Sequence, residues 1–351
     1  MAEAFFELRA EDQREILELG RAATGRPAHL LEKDIWVVWA LRTLFESQLA
    51  TDLTFKGGTS LSKVYKIIDR FSEDIDLTYD VRKLIPDLVG DRNEIPASRS
   101  QANKWTKAVR RRLPGWIVEN VQPILQDALT RDCLNVRLEL GGPAKDKLLL
   151  HYPALTQGTG YVAPIIILEF GARATGEPHE VTQVACDIAS GFDGVSFPVA
   201  APLVMNVART FWEKATAAHV FCAQGRTRGE RYARHWHDLA AISRSPYFTD
   251  AIANEDVAVA VARHKSCFFI EKDGDGQVID YMAAVSGYLN LVPQGAARTA
   301  LMEDYAAMLA DAVMVGDALS FDELLTACHN LEMQINNKGS HTKLQYPLQS
   351  R

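Results

Sequence analysis

The stretch FKGGTSLSKVYKIIDRFSEDIDL, from Phe55 to Leu77, sets a glycine pair, adjacent hydroxyls and alternating carboxylates inside one strand–turn–helix–strand pattern. Leu53 and Phe55 followed by Gly57 and Gly58 predict a short strand that ends in a tight turn. Leu61 to Ile68 reads as a helix, and Ile75 to Tyr79 as a strand. On a strand, residues i and i+2 face the same way, so Asp74 and Asp76 project together while Ile75 and Leu77 go inward. Two carboxylates that close repel unless a cation lies between them, and hard oxygen ligands suit Mg2+ or Mn2+. A D-x-D pair alone describes a solvated strand face as readily as a metal site. Gly57-Gly58-Thr59-Ser60 alone is as readily a capped tight turn. Together they gain meaning. Glycines let backbone approach a phosphate, Thr59 and Ser60 carry hydroxyl donors, and Lys63 lies on the same helix.

Outward from that block, Val37, Ala40, Leu41, Leu44 and Phe45 recur at helical spacing within a helical residues 1–50. Pro86, Gly90 and Pro96 mark residues 82–100 as a loop-rich insertion, followed by a basic helix from about Gln101 to Leu113. CLNVRLEL, KLLLHYPAL and PIIILEF, between residues 133 and 170, are apolar runs with turn-rich separators, as β structure requires. From about Pro202 the pattern is helical. The expected class is mixed α+β: a core with a mixed sheet over residues 1–200, a helical C-terminal domain over 201–337, and a polar tail over 338–351. The whole is expected to be bilobed, with the site in a cleft between the halves.

Composition narrows the classes. At 47% hydrophobic and 24% charged residues the chain is ordinary globular material. No run of apolar residues is long enough to span a membrane. The start of the chain lacks the pattern of a signal peptide, so a cytoplasmic location is expected. Cys133, Cys186, Cys222, Cys267 and Cys328 are scattered without C-x-x-C spacing and read as reduced core thiols. The net charge of -7 argues against non-specific coating of nucleic acid, yet leaves room for local basic patches. Lys104, Lys107, Arg110, Arg111 and Arg112 form one such cluster, flanked by Trp105 and Trp116, which could stack on bases. Arg226, Arg228, Arg231 and Arg234 form another. Either cluster alone is equally a solvated helix face.

Strand, G-G-T-S turn, helix, then strand with D-x-D resembles the nucleotidyltransferase core of the DNA polymerase β superfamily. FKGGTSLSK followed by RFSEDIDL is more closely similar to the AbiEii/AbiGii toxin family, which includes the MenT toxins of mycobacteria. LLEKDIWVVWAL (30–41), PIIILEFGAR (164–173), TFWEKATAAH (210–219) and RYARHWHDLAAI (231–242) extend the resemblance in order along the chain. It implies a metal-dependent nucleotidyltransferase toxin of a type IV-like toxin–antitoxin system, moving nucleotides from NTP to RNA, with tRNA 3′ ends as acceptor in MenT-like members. By the same resemblance Asp74, Asp76 and Glu169 hold the metal, and Glu169 either aids that or deprotonates the attacking hydroxyl. Gly57, Gly58, Thr59, Ser60 and Lys63 hold the nucleotide, and Lys214 meets its triphosphate. Asp238 positions Lys214 or an arginine, or assists the base. A separately encoded antitoxin is the implied partner. One departure is Ala208, where many relatives carry Glu before the position of Arg209. Alternatives from other classes are transfer to a protein or small molecule, and a non-catalytic nucleotide- or RNA-binding module.

Two local patterns mislead. EKDGDGQVID (271–280) suggests a calcium loop, but counting from Asp273 the required glycine position holds Val278 and the required glutamate position Ala284. His235 and His237, two apart on a helix, point to different sides and make a poor zinc pair.

Overall fold

Alternation does most of the building in the N-terminal part of the chain. In the computed structural model, which describes residues 2–72, 74–90, 95–158, 163–225, 231–310 and 318–342, a seven-stranded sheet forms from β1 (Leu53–Lys56), β2 (Asp74–Tyr79), β3 (Arg137–Gly141), β4 (Lys147–His151), β5 (Ile165–Gly171), β6 (His179–Val181) and β7 (Leu203–Met205). The order is β3-β4-β5-β2-β1-β7-β6. β2 and β5 are parallel, as are β1 and β7, and the other neighbours are antiparallel. The mixed α+β class expected from the sequence is the one observed.

One face of this sheet is sealed. Ile75, Leu77, Leu148, Leu150, Ile166 and Leu168 are fully buried. Helix α2 (Ala28–Phe45) packs on β5, and α1 (Ala10–Thr24) packs on α2. Almost all of α2 is buried, including Glu32, Lys33 and Asp34. Its charges survive burial because each has a partner. Glu32 accepts the N–H groups of Leu155 (2.8 Å) and Thr156 (3.1 Å), and Lys33 donates to the carbonyl of Ala163 (3.1 Å).

Helix α3 (Gly57–Lys63) follows β1 directly. The insertion after β2 begins with two single helical turns, Val81–Leu84 and Pro86–Val89. The basic helix α4 is longer than expected, Arg99–Trp116, and continues through a π turn into α5 (Gln122–Arg131).

Two compact units are present. The first comprises Met1–Lys66, Arg70–Glu94 and Asn103–Met205; the second comprises Ile67–Asp69, Ile95–Ala102 and Asn206–Arg351. Leu203–Met205 is a strand, so the helical pattern read from Pro202 begins only at α6 (Val207–Gln224), capped by the Asn206 side chain on the Ala208 N–H at 2.8 Å. The second unit is built around α7 (Ala233–Ser243), against which α6, α9 (Gly295–Ala310) and α10 (Phe321–Thr342) pack; α8 (Glu255–Phe268) lies on α6. Trp236 of α7 is fully buried and donates to the Leu291 carbonyl at 2.7 Å. Residues 338–342, read as tail, continue α10, and 343–351 lie outside the described residues.

The cysteines are all unpaired. Cys186 and Cys328 are buried as core thiols, whereas Cys133 is exposed, at a turn with φ of 53°.

Candidate active site

Strand register assembles the charged face. Asp74 and Asp76 leave the same side of β2, opposite to the buried Ile75 and Leu77. Asp76 pairs across to Glu169 on β5 and, on its other side, to Lys56 on β1. Glu169 in turn lies opposite Lys147 on β4. Directly opposed residues share a face, so Lys56, Asp74, Asp76, Glu169 and Lys147 belong to one side of the sheet. The Lys147 ammonium meets Glu169 Oε2 at 2.5 Å. Burial works against that ammonium, but Glu169, then Asp74 and Asp146, outweigh it and raise its pKa. Among the described residues, no three His, Cys, Asp or Glu side chains converge as a ready-made metal cage.

The glycine turn closes over this face. Gly57 has φ of +81°, a backbone shape that favours glycine, and a β-carbon there would overlap the Asp76 carboxylate. A β-carbon on Gly58 would meet Arg70 Nη2 at 2.6 Å and Ser72 Oγ at 2.8 Å. The Thr59 hydroxyl reaches the backbone carbonyls of Asp74 and, at 3.3 Å, Ser72. The Ser60 hydroxyl donates to the Gly57 carbonyl at 2.8 Å. Both hydroxyls are buried. In this geometry they brace the turn and its neighbouring strand.

Lys63 is expected at the nucleotide, and the structure gives it two buried partners. Its ammonium meets Asp34 Oδ1 at 2.5 Å and Asp187 Oδ1 at 2.8 Å. Arg26 reaches the second Asp187 oxygen at 3.1 Å, and the Asp187 N–H donates to Asp34 at 2.7 Å. Burial opposes the Asp187 carboxylate, yet Lys63 and then Arg26 hold it below its ordinary range. The cavity beside this network is about 10 Å3, room for about one water. Lys63 therefore ties α3 to α2 and to the segment at Asp187.

In the second unit, Lys214 of α6 pairs with Asp238 of α7 at 2.9 Å, and Asp238 is fully buried. The other Asp238 oxygen lies 3.2 Å from His237 Nδ1. A buried carboxylate held at both oxygens fixes the ammonium that it pairs with. Arg209 is buried beside Glu213 at 3.3 Å.

The family model described as "Nucleotidyl transferase AbiEii toxin, Type IV TA system" matches residues 39–327. The chain belongs to that family. The AbiEii match takes in the carboxylate face, the glycine turn, Lys214 and Asp238. Among solved structures, the nucleotidyltransferase toxin MenT4 from Mycobacterium tuberculosis H37Rv is similar, with 15% identity over 95% of this chain and 98% of that chain and a TM-score of 0.40. No curated protein matches. No helix among the described residues of this AbiEii-family chain is long and apolar enough to cross a membrane.

The basic helix needs correction in detail. Lys104, Lys107, Arg110 and Arg111 of α4 are exposed. Arg112 is instead clamped to both oxygens of Asp87, at 2.5 and 2.8 Å. Trp105 is fully buried and offers no face to a base. Trp116 stacks on Tyr79, with ring centroids 3.9 Å apart, and packs its edge on Phe170. Arg173 is half-buried, and burial followed by the nearby charge of Arg110 lowers its pKa. In the second cluster the Arg231 N–H donates to Asp304 at 2.7 Å. Arg226 and Arg228 lie outside the described residues.

Four residues of the AbiEii-family chain escaped the sequence reading: Lys147, Asp34 and Asp187 as a pair, and His237 as a partner of Asp238. The KLLLH strand contains Lys147 in plain view, but only the register with β5 sets it against Glu169.

Proposed function

We propose that this chain transfers a nucleotidyl group from an NTP to an RNA hydroxyl, with the tRNA 3′ end as acceptor. The observation that carries the reading is the register that sets Asp74, Asp76 and Glu169 on one sheet face beneath Gly57. The donor set fits a divalent cation. Mg2+ is commonly held by one or two carboxylates together with substrate phosphates, so Asp74 and Asp76 suffice without a complete protein cage. The Lys147 ammonium, itself a cation, already rests against Glu169 of that face. When bound, Mg2+ or Mn2+ supplies charge stabilisation at the attacking and leaving oxygens.

The chain's own residues do the rest. Gly57 and Gly58 let the turn pack directly on Asp76, Arg70 and Ser72, where any side chain would intrude, and so set the turn assigned to the phosphates beside the carboxylates. Thr59 and Ser60 keep that turn in place, and Lys63 holds its helix from behind. Lys214, fixed by Asp238, is assigned to the triphosphate as a compact positive charge. The acceptor oxygen attacks the α-phosphorus, the bond to the pyrophosphate oxygen breaks, and the hydroxyl proton passes to a carboxylate of the face or to water. Lys104, Lys107, Arg110 and Arg111 are assigned to phosphates of the RNA. An RNA substrate places the work in the cytoplasm, and a type IV system adds a separately encoded antitoxin that opposes it.

The test is incubation with each labelled NTP, Mg2+ or Mn2+, and either total tRNA or total protein. Label on tRNA supports the reading. Label confined to protein replaces it with protein modification, and NTP binding without transfer to any acceptor reduces the chain to a nucleotide-binding module.

A further inference from the structure

Glu169 is the residue on which the charged face turns. It stands opposite Asp76 on one side and Lys147 on the other. The distance of 2.5 Å commits one of its oxygens to Lys147. The two side chains are about one-third to two-fifths exposed, 32% for Lys147 and 42% for Glu169, so both have room to move. Like charges at this spacing need a counter-cation. The face already has one, and it belongs to the protein.

We propose that Lys147 is a positioning residue that acts as the resident counter-cation of the carboxylate face, withholding Glu169 and lowering the affinity of the nucleotide-free site for a divalent ion. This rests on the metal-binding reading of Asp74 and Asp76. Lys147 would compete with a divalent ion for Glu169, and Asp74 and Asp76 would hold such an ion together with nucleotide phosphates. Part of the negative charge of an empty site is thus offset, and metal occupancy becomes coupled to nucleotide.

The experiment measures Mn2+ binding to nucleotide-free protein, by electron paramagnetic resonance of the free ion, for the parent and for K147M, K147R and D76N. K147M is expected to bind Mn2+ about fivefold more tightly, the size of a part-exposed ion pair. K147R keeps the charge and should match the parent. Melting with and without Mn2+ gives a second readout: K147M should melt below the parent without the ion and regain the difference with it. K147M binding no more tightly than the parent, while D76N loses the ion, overturns the role of Lys147 and leaves nucleotidyl transfer standing. K147R behaving like K147M overturns it too, because charge would not be the cause. D76N binding Mn2+ as the parent does removes the carboxylate face as the ion site, and both readings fall.

Discussion

Gly57 presses its backbone against the carboxylate of Asp76, with no space for even one added carbon between them. The turn and the acidic strand are therefore a matched pair. A Gly57→Ala substitution strains a positive φ, at about 1 kcal/mol, and also displaces Asp76. We expect a lower melting temperature and a loss of nucleotidyl transfer of about a hundredfold or more, since small misplacements at a reacting centre cost that much. Gly191→Ala is the control. That glycine has nothing within 4 Å of a β-carbon and should leave both measurements unchanged.

Asp76→Asn keeps the shape and removes one charge from a crowded face. Transfer should fall about a thousandfold, as expected for a lost electrostatic group. Stability should hold or rise slightly, because repulsion with Asp74 is relieved. Parallel chemical melts and transfer assays separate the two effects. A variant as active as the parent would remove Asp76 from the site.

Lys214 and Asp238 predict a pattern that one substitution cannot show. Lys214→Met removes the ammonium paired with a fully buried carboxylate, and should destabilise the protein by about 3 kcal/mol. Adding Asp238→Asn removes the buried charge that Lys214 offset and should recover part of that stability in urea unfolding. Transfer should stay lost in both. Recovery of transfer together with stability would make the pair purely structural.

His219 supplies a pH dependence with a definite sign. Burial lowers its pKa below the ordinary 6.5, and Nδ1 accepts the Asn290 N–H at 3.1 Å, so the folded form needs the ring neutral. The unfolded chain takes up the proton first. Stability is then highest above about pH 6.5 and falls as pH drops below it, levelling off once the folded form protonates as well. His29, also lowered by burial, contributes in the same direction. His219→Asn keeps an acceptor that does not titrate. It should flatten part of the slope between about pH 7 and 5 in urea midpoints.

What the sequence disclosed was local. The D-I-D alternation and the glycine pair announce themselves within a few residues, because strand period and turn chemistry are short-range properties. Trp105, read as a base-stacking candidate, is a core residue instead: Ala108, Val109 and Leu113 continue its stripe along α4, and that stripe is buried. Lys147 was not legible, since strand register is fixed by tertiary pairing. Nor were the partners of Lys63, one of them 124 residues away. The three-residue strands His179–Val181 and Leu203–Met205 are too short to display alternation, so the sheet extends past the boundary drawn at residue 200.

The tie from Lys63 to Asp187 also has a meaning for biosynthesis. The glycine turn is made early in translation, but its brace arrives with Asp187, and β1 gains its second neighbour only with Leu203–Met205. A ribosome-bound chain that has displayed the whole motif up to Leu77 still lacks both that brace and that neighbouring strand.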